Sequence, residues 1–285
     1  VPALLVWERV DDVAESHAKH LADLARHLRP DLSLLLQDTH ISQHRRDDLC
    51  RHRILSESEL PKPGTLVAID AEFVSLAQEE LEVFSDGTRT LIQPSSLALA
   101  RVSVLRGEGP REGEPFIDDH IWTTEPIVDY LTQFSGIQPD DLDPKRTQRT
   151  LVSHKTAYKK LRMLTDLGCR FIGHGLAKDF RIINIFVPPS QVIDTVQLYH
   201  SPAHPRNLSL RFLSWFLLKK DIQQGLALGV EQHDGHDSIE DALAALQLFR
   251  KYEQFERDGR LEDMLEDLYE IGPRVNWRPP EKIAS

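Results

Sequence analysis

The stretch LVAIDAEFVSL (66–76) holds Asp70 and Glu72 two residues apart inside an otherwise apolar run. Such a run has the character of a buried strand, and on a strand residues i and i+2 face the same side. Two carboxylates side by side at the edge of a core repel one another and lose their water. A positive charge between them relieves both costs. Two further acids stand near element starts: Asp179 in GHGLAKDF, at the opening of a helix after a short strand, and Asp241 in GHDSIEDA, in the first turn of a long helix. Hard oxygen donors of this kind suit Mg²⁺ or Mn²⁺ and not zinc. Two such ions roughly 3.5–4 Å apart form a clamp for in-line displacement at phosphorus, one activating water and the other stabilising charge on the leaving oxygen. His236 precedes the Asp241 helix, in a loop from which its ring would be free to swing over the site. A neutral imidazole, with its ordinary pKa of about 6.5, can take the proton of that water. The candidate catalytic set is therefore Asp70, Glu72, Asp179, His236 and Asp241, with the four acids as ligands of two divalent ions.

Neighbouring residues have plainer readings. Asp194 in VIDTV could be a fifth ligand, but a carboxylate just ahead of Thr195 and a helix start reads as an N-cap. Asp237 or Ser238 can cap the helix that carries Asp241, with Glu240 as reciprocal partner. His233 and His236 are three apart, yet no cysteine lies near enough to complete a zinc site. His174 either satisfies a strand end or touches substrate. Phe212, Trp215 and Phe216 fall at helical spacing and read as core, and Cys169 as packing at the start of a buried strand.

The elements that must position the acids are strand-rich at first: 66–74, 95–106 and 116–123, joined by a charged, Gly-containing segment (79–90) and by GEGPREGE (107–114), both suited to hairpins. A helix is expected across 150–168, with Tyr158, Leu161, Leu164 and Leu167 on one face. CRFIGHG reads as a strand, DFRIINIF as the start of a helix that Pro188-Pro189 must end, QVIDTV as a strand, and NLSLRFLSWFLL and SIEDALAALQLFRKYEQF as helices. A hairpin run followed by helix–strand alternation makes the expected class α/β, a mixed sheet flanked by helices. Residues 1–62 differ: a short apolar start, a helical pattern through Leu21, Leu24 and Leu28, then a polar stretch closed by LPKPGT. They are expected to be a linker ahead of a domain over 63–278, with 279–285 as a tail.

At 285 residues the chain suits one large or two small domains. Cys50 and Cys169 are the two cysteines, which excludes a disulfide scaffold and fits a reducing interior. No apolar run approaches the roughly 20 residues of a membrane span. A net charge of −11 argues on its face against a polyanion partner, but 145–181 is basic, and its lysines at 155–160 read equally as a solvated face or a phosphate guide. The stretch from Glu253 to Glu270 reads as an acidic tail.

IDAEFV, GHGLAKDF and HDSIEDA together resemble the three exonuclease motifs of the DEDDh superfamily, whose fold is ribonuclease H-like. Longer stretches, among them SSLALARVSVLRG, DYLTQFSGI, GCRFIGHGLAKDFRIINIFVP and LSLRFLSWFLL, resemble the catalytic subunits of poly(A) nuclease deadenylase complexes over about 66–278. VPALLVW resembles the end of the inactive ubiquitin-hydrolase-like domain that precedes the nuclease in that family. The resemblance implies a cytoplasmic 3′→5′ exoribonuclease that shortens poly(A) RNA and releases 5′-AMP. It implies a pseudokinase-like adaptor subunit as partner and, through it, poly(A)-binding protein. By position it makes Asp70, Glu72, Asp179 and Asp241 the metal ligands and His236 the general base. In the family, the backbone of the first motif reads the terminal 3′-OH and an apolar side chain wedges the last base, and Ala71 and Phe73 match those positions. Gly175 stands where many relatives place Asn after His174, so no substrate contact is carried over to it. Two rivals remain: a DEDDh exonuclease acting on other RNA or DNA 3′ ends, and an inactive RNA-binding or scaffold module, against which the intact five-residue set argues.

Overall fold

The computed structural model describes residues 32–78, 80–84, 87–223 and 235–280. The expected helix through Leu21, Leu24 and Leu28, together with Glu79, His233 and the last five residues of the tail, lies outside the described residues. The chain divides after Ser33, and everything below belongs to the unit that begins at Leu34.

Among the described residues eight strands are formed: β1 (Leu66–Ala77), β2 (Glu80–Val83), β3 (Arg89–Gln93), β4 (Ser96–Arg106), β5 (Pro115–Trp122), β6 (Leu151–Ser153), β7 (Arg170–Gly173) and β8 (Val192–Asp194). Six of them make one sheet in the order β6-β5-β4-β1-β7-β8. β1 pairs antiparallel with β4 and parallel with β7, which places the first acidic motif in the middle of the sheet. β4/β5 is antiparallel, while β5/β6 and β7/β8 are parallel. This is the mixed, helix-flanked sheet of a ribonuclease H-like fold. The charged segment between the first two expected strands folds into the β2/β3 hairpin.

The sheet's two faces explain why β1 is apolar on both sides. Val67, Ile69 and Ala71 join a core with Ala157, Leu161 and Leu164 of α1 (His154–Asp166) and Leu176, Phe180 and Ile183 of α2 (Leu176–Ile183). Ala68 faces the other way, into a core with Ile239, Ala242 and Leu246 of α3 (Ser238–Arg257) and Met264 and Leu268 of α4 (Leu261–Arg274). By strand alternation Asp70 and Glu72 share the face of Ala68, toward α3. Phe212 is fully buried in this second core, with Trp215 and Phe216 packed against it, and Cys169 is buried in the first.

Several boundaries differ from the sequence expectation for local reasons. The helix expected from 150 begins at His154, because Leu151–Ser153 pair with β5 and the Ser153 hydroxyl then accepts the Thr156 N–H at 3.1 Å as the cap. Three residues are too few for a strand period to emerge. α2 begins before Asp179 and stops at Asn184, whose φ of 58° is left-handed, so Pro188 has no part in ending it. The apolar segment after Leu208 is one α turn (Leu210–Leu213) running into a π turn (Ser214–Leu218). The acidic stretch after Glu253 continues as α4, whose apolar side is buried. Lys160 is neither a solvated residue nor a phosphate guide: it is buried against Asp119, Nζ to Oδ2 2.7 Å, while Lys155 and Lys159 are exposed.

The described part of the leader is built into this unit. Leu35 and Leu55 are core residues, the Ile41 N–H donates to the Leu151 carbonyl at 2.8 Å, and Arg106 Nε reaches Glu59 Oε1 at 2.8 Å. Among the described residues no helix is long and apolar enough to cross a membrane.

Candidate active site

The N-terminus of α3 meets the middle of β1. Asp237 caps the helix, its Oδ1 accepting the Ile239 N–H at 3.2 Å, without the reciprocal Glu240 bond. The cap places Asp241 in the first turn, 3% exposed, and His236 immediately before the cap. Glu72 is 7% exposed on the facing strand. One donor atom from each of Glu72, His236 and Asp241 lies within 4.8 Å of the others, and His236 Nδ1 is 3.5 Å from Asp241 Oδ2. Asp70 and Asp179 do not join that mutual grouping, although Asp179 acts on Glu72, and both Glu72 and Asp241 act on Asp70.

All four acids are shifted in the same direction. Burial, then the negative fields of Asp241, Glu72 and Asp179, push the Asp70 carboxyl well above the ordinary range. Burial and then Asp241 push Glu72 up to about 9. Burial raises Asp179 and Asp241 each to about 7. His236 is moved the other way, first by burial and then by the Arg211 charge, so its imidazole is neutral at physiological pH. Two carboxylate oxygens, Glu72 Oε1 and Asp241 Oδ1, are buried with no hydrogen-bond partner among the described residues, while Gln223 Nε2 donates to Asp241 Oδ2 at 2.7 Å. Unpartnered buried oxygens on two facing acids are costly, and a hard divalent cation is the partner that chemistry would supply. The donor set therefore fits such an ion.

His236 is not free to swing on its backbone. Its N–H donates to the Phe134 carbonyl at 2.8 Å, and Gly235 and Gly136 stack backbone to backbone beside it. A Cβ on Gly136 would lie 2.8 Å from the His236 carbonyl oxygen, and the glycine's φ of +65° already disfavours a side chain. A loop position outside a helix thus does not imply mobility here. Gly136→Ala is expected to retain the far-UV circular dichroism of the parent but to turn over about 10²-fold more slowly, because an ångström-scale displacement of the candidate base costs that much. Single-turnover kinetics are the check; a rate within threefold of the parent would mean that the Gly136–Gly235 contact does not set the position of His236.

The other candidates are placed as follows. Asp194 caps: its Oδ1 accepts the N–H groups of Val196 (3.0 Å) and Gly175 (2.8 Å). His174 is half-buried with Nδ1 2.9 Å from Thr195 Oγ1, which itself donates to the Gly173 carbonyl, and burial lowers its pKa to about 4. Ala71 is buried in the first core and Phe73 packs against it, with a register shift between Glu72 and Phe73. Arg101, Gln223 and Gly136 escaped the sequence reading. A signal existed for the first of these, an arginine inside the apolar run ALARVSV.

A family model described as Exonuclease matches residues 67–249, a stretch that contains all five candidate catalytic residues. The chain belongs to the exonuclease family. This exonuclease is 51% identical over 287 residues to the "PAN2-PAN3 deadenylation complex catalytic subunit PAN2" of Cryptococcus neoformans, covering 100% of this chain and 23% of that protein. It is 54% identical over 231 residues to the corresponding subunit of Schizosaccharomyces pombe, covering 81% of this chain and 20% of that protein. The chain therefore spans less than a quarter of the length of these relatives. Among solved structures, the Neurospora crassa Pan2 catalytic unit (protease and nuclease domain) matches with a TM-score of 0.70 at 49% identity, covering 85% of this chain and 35% of that one. The Saccharomyces cerevisiae Pan2 pseudoubiquitin hydrolase–RNA exonuclease module in complex with AAUUAA RNA matches with a TM-score of 0.76 at 42% identity, covering 88% and 38%. Membership of the exonuclease family implies dependence on a divalent metal in general.

Proposed function

We propose that this exonuclease shortens poly(A) RNA from its 3′ end and releases 5′-AMP, as the catalytic part of a cytoplasmic deadenylase. The observation that carries the reading is the meeting of Glu72, His236 and Asp241 within 4.8 Å, with a buried oxygen on each acid that has no partner among the described residues. Glu72 and Asp241, joined by Asp70 and Asp179, would hold two ions, Mg²⁺ or Mn²⁺. When bound, such ions supply Lewis-acid stabilisation of the charge that develops on the phosphoryl and leaving oxygens. The protein's own part is to hold the last phosphodiester beside a water and to receive a proton. The water oxygen attacks phosphorus, the bond from phosphorus to the 3′-oxygen of the preceding nucleotide breaks, and that oxygen takes a proton from solvent to become the new 3′-OH. His236, kept neutral by burial and by Arg211, accepts the water's proton on its imidazole. The backbone at Ala71 and the side chains of Phe73 and His174 are the proposed contacts to the terminal nucleotide.

Selectivity for adenylate would come from stacked bases, which present a repeated shape, and the 2′-OH would distinguish RNA from DNA. The relatives named for a PAN2-PAN3 complex support a partner subunit; we propose that it is a pseudokinase-like adaptor, linked in turn to poly(A)-binding protein. We propose a nuclease domain over 63–278, with residues 34–62 packed on it and upstream sequence completing the enzyme. Labelled poly(A), random-sequence RNA and single-stranded DNA, compared with Mg²⁺ present, test the substrate. Poly(A) should be degraded at least about tenfold faster than either competitor, a modest factor for readout by stacking. Equal rates on all three would leave a general exonuclease, and binding of poly(A) without product would leave a scaffold.

A further inference from the structure

Arg101 lies directly opposite Glu72 in the antiparallel β1/β4 pair, next to the register shift that follows Glu72. Opposed residues share a face, so this arginine projects toward α3 beside the acid. Its side chain is 11% exposed and bridges two carboxylates: Nε reaches Asp118 Oδ1 on β5 at 2.8 Å, and Nη1 reaches Asp237 Oδ1 at 3.0 Å. Asp237 is the cap of α3, flanked by His236 on one side and placed one turn from Asp241 on the other. Two residues along β4, the Ser103 hydroxyl touches both Asp118 Oδ1 (3.0 Å) and Ser238 Oγ (2.6 Å). The first turn of α3 is therefore fastened to β4 at two points, both on the face that carries Glu72.

We propose that Arg101 is a positioning residue for the active site: its bridge between Asp118 and the α3 cap fixes the distance from Glu72 to Asp241 and His236. The inference rests on the nuclease reading above. A fork-shaped guanidinium can hold two carboxylates at set angles, whereas the ammonium of lysine keeps the charge without that geometry. Arg101→Lys therefore separates charge from alignment. Asp237→Asn separates alignment from capping, since asparagine caps as well as aspartate but cannot form the ion pairs to Arg101 and Arg51.

The test compares parent, R101K and D237N by steady-state kinetics on an adenylate oligomer and by melting with and without Mn²⁺. R101K is expected to lose about 10²-fold in kcat with KM within threefold, and to keep less than half of the parent's Mn²⁺-induced rise in Tm. D237N is expected to change in the same direction by about tenfold in kcat. If R101K does not fold, D237N decides, because Asp237 is partly exposed and its cap survives. A lower metal-free Tm with kcat and the Mn²⁺ response unchanged means that the arginine only stabilises the fold, and overturns the proposal. A parent that degrades no nucleic acid sinks the nuclease reading instead, while the Mn²⁺ melts still report whether Arg101 shapes the site.

Discussion

Glu72→Gln is expected to retain less than about one-thousandth of the parent's turnover, and to melt at a higher temperature than the parent in EDTA. The first effect follows from losing a charged ligand at the reacting phosphate, where a metal contributes several kcal/mol of transition-state stabilisation. The second follows from the free energy of the metal-free site. Glu72 is pushed up to about 9 by burial and then by Asp241, so the folded state must hold this group protonated at neutral pH while the unfolded chain leaves it ionised. Glutamine keeps the shape and removes that cost. The gain in EDTA should be larger at pH 8 than at pH 5, where the unfolded carboxyl is itself partly protonated. Substantial activity in the variant, or a lower Tm at pH 8 in EDTA, would contradict the ligand assignment. Asp70→Ala should behave alike, inactive with stability unchanged or improved, since burial and three acids act on Asp70 together.

The second large effect is the reversal of pH dependence by divalent ions. Asp179 and Asp241 are raised to about 7 and Glu72 to about 9, each first by burial. A carboxyl whose folded pKa lies above its unfolded value stabilises fully below the unfolded value and loses that contribution as pH rises through the folded one. The metal-free protein should accordingly lose stability between about pH 4 and pH 9. A loss of a few kcal/mol corresponds to a fall in Tm of about 5 °C or more between pH 5 and pH 8 for a domain of this size. Millimolar Mn²⁺ should restore the melt at pH 8 and do little at pH 5, because protons compete for the same oxygens. The buried Asp118–Arg101 pair acts oppositely: Asp118 is held at about 2 against the cost of burial by the Arg101 charge, and its contribution is lost only as pH falls below about 4. Melts in EDTA and in Mn²⁺ across that range distinguish the two. A metal-free Tm flat from pH 5 to pH 8 would mean the acids do not share one desolvated site.

The parts legible in the sequence are those with a period or a mandatory residue. β1 announced itself because Asp70 and Glu72 interrupt an apolar run at strand spacing, and α3 because its apolar positions recur over twenty residues behind an aspartate cap. Asp194 was legible as a cap for the same local reason. What was hidden depends on tertiary contact. β6 has three residues and no period, and its strand character comes from pairing with β5. Lys160 sits in a basic run that reads as surface, and only the fold brings Asp119 beneath it. The restraint on His236 comes from a turn a hundred residues earlier, through the Phe134 carbonyl and two glycine backbones in contact. Arg101 could be flagged as an arginine among apolar residues, but its two carboxylate partners lie 17 and 136 positions away.

The most direct test is anomalous diffraction at the manganese edge from crystals soaked in Mn²⁺ with an adenylate oligomer. Two peaks are expected roughly 3.5–4 Å apart, bracketed by Asp70, Glu72, Asp179 and Asp241, with the terminal phosphate between them and the His236 ring turned toward it. Peaks elsewhere on the surface, or none among these acids while RNA is bound, would contradict the proposed mechanism and leave only the fold and the family.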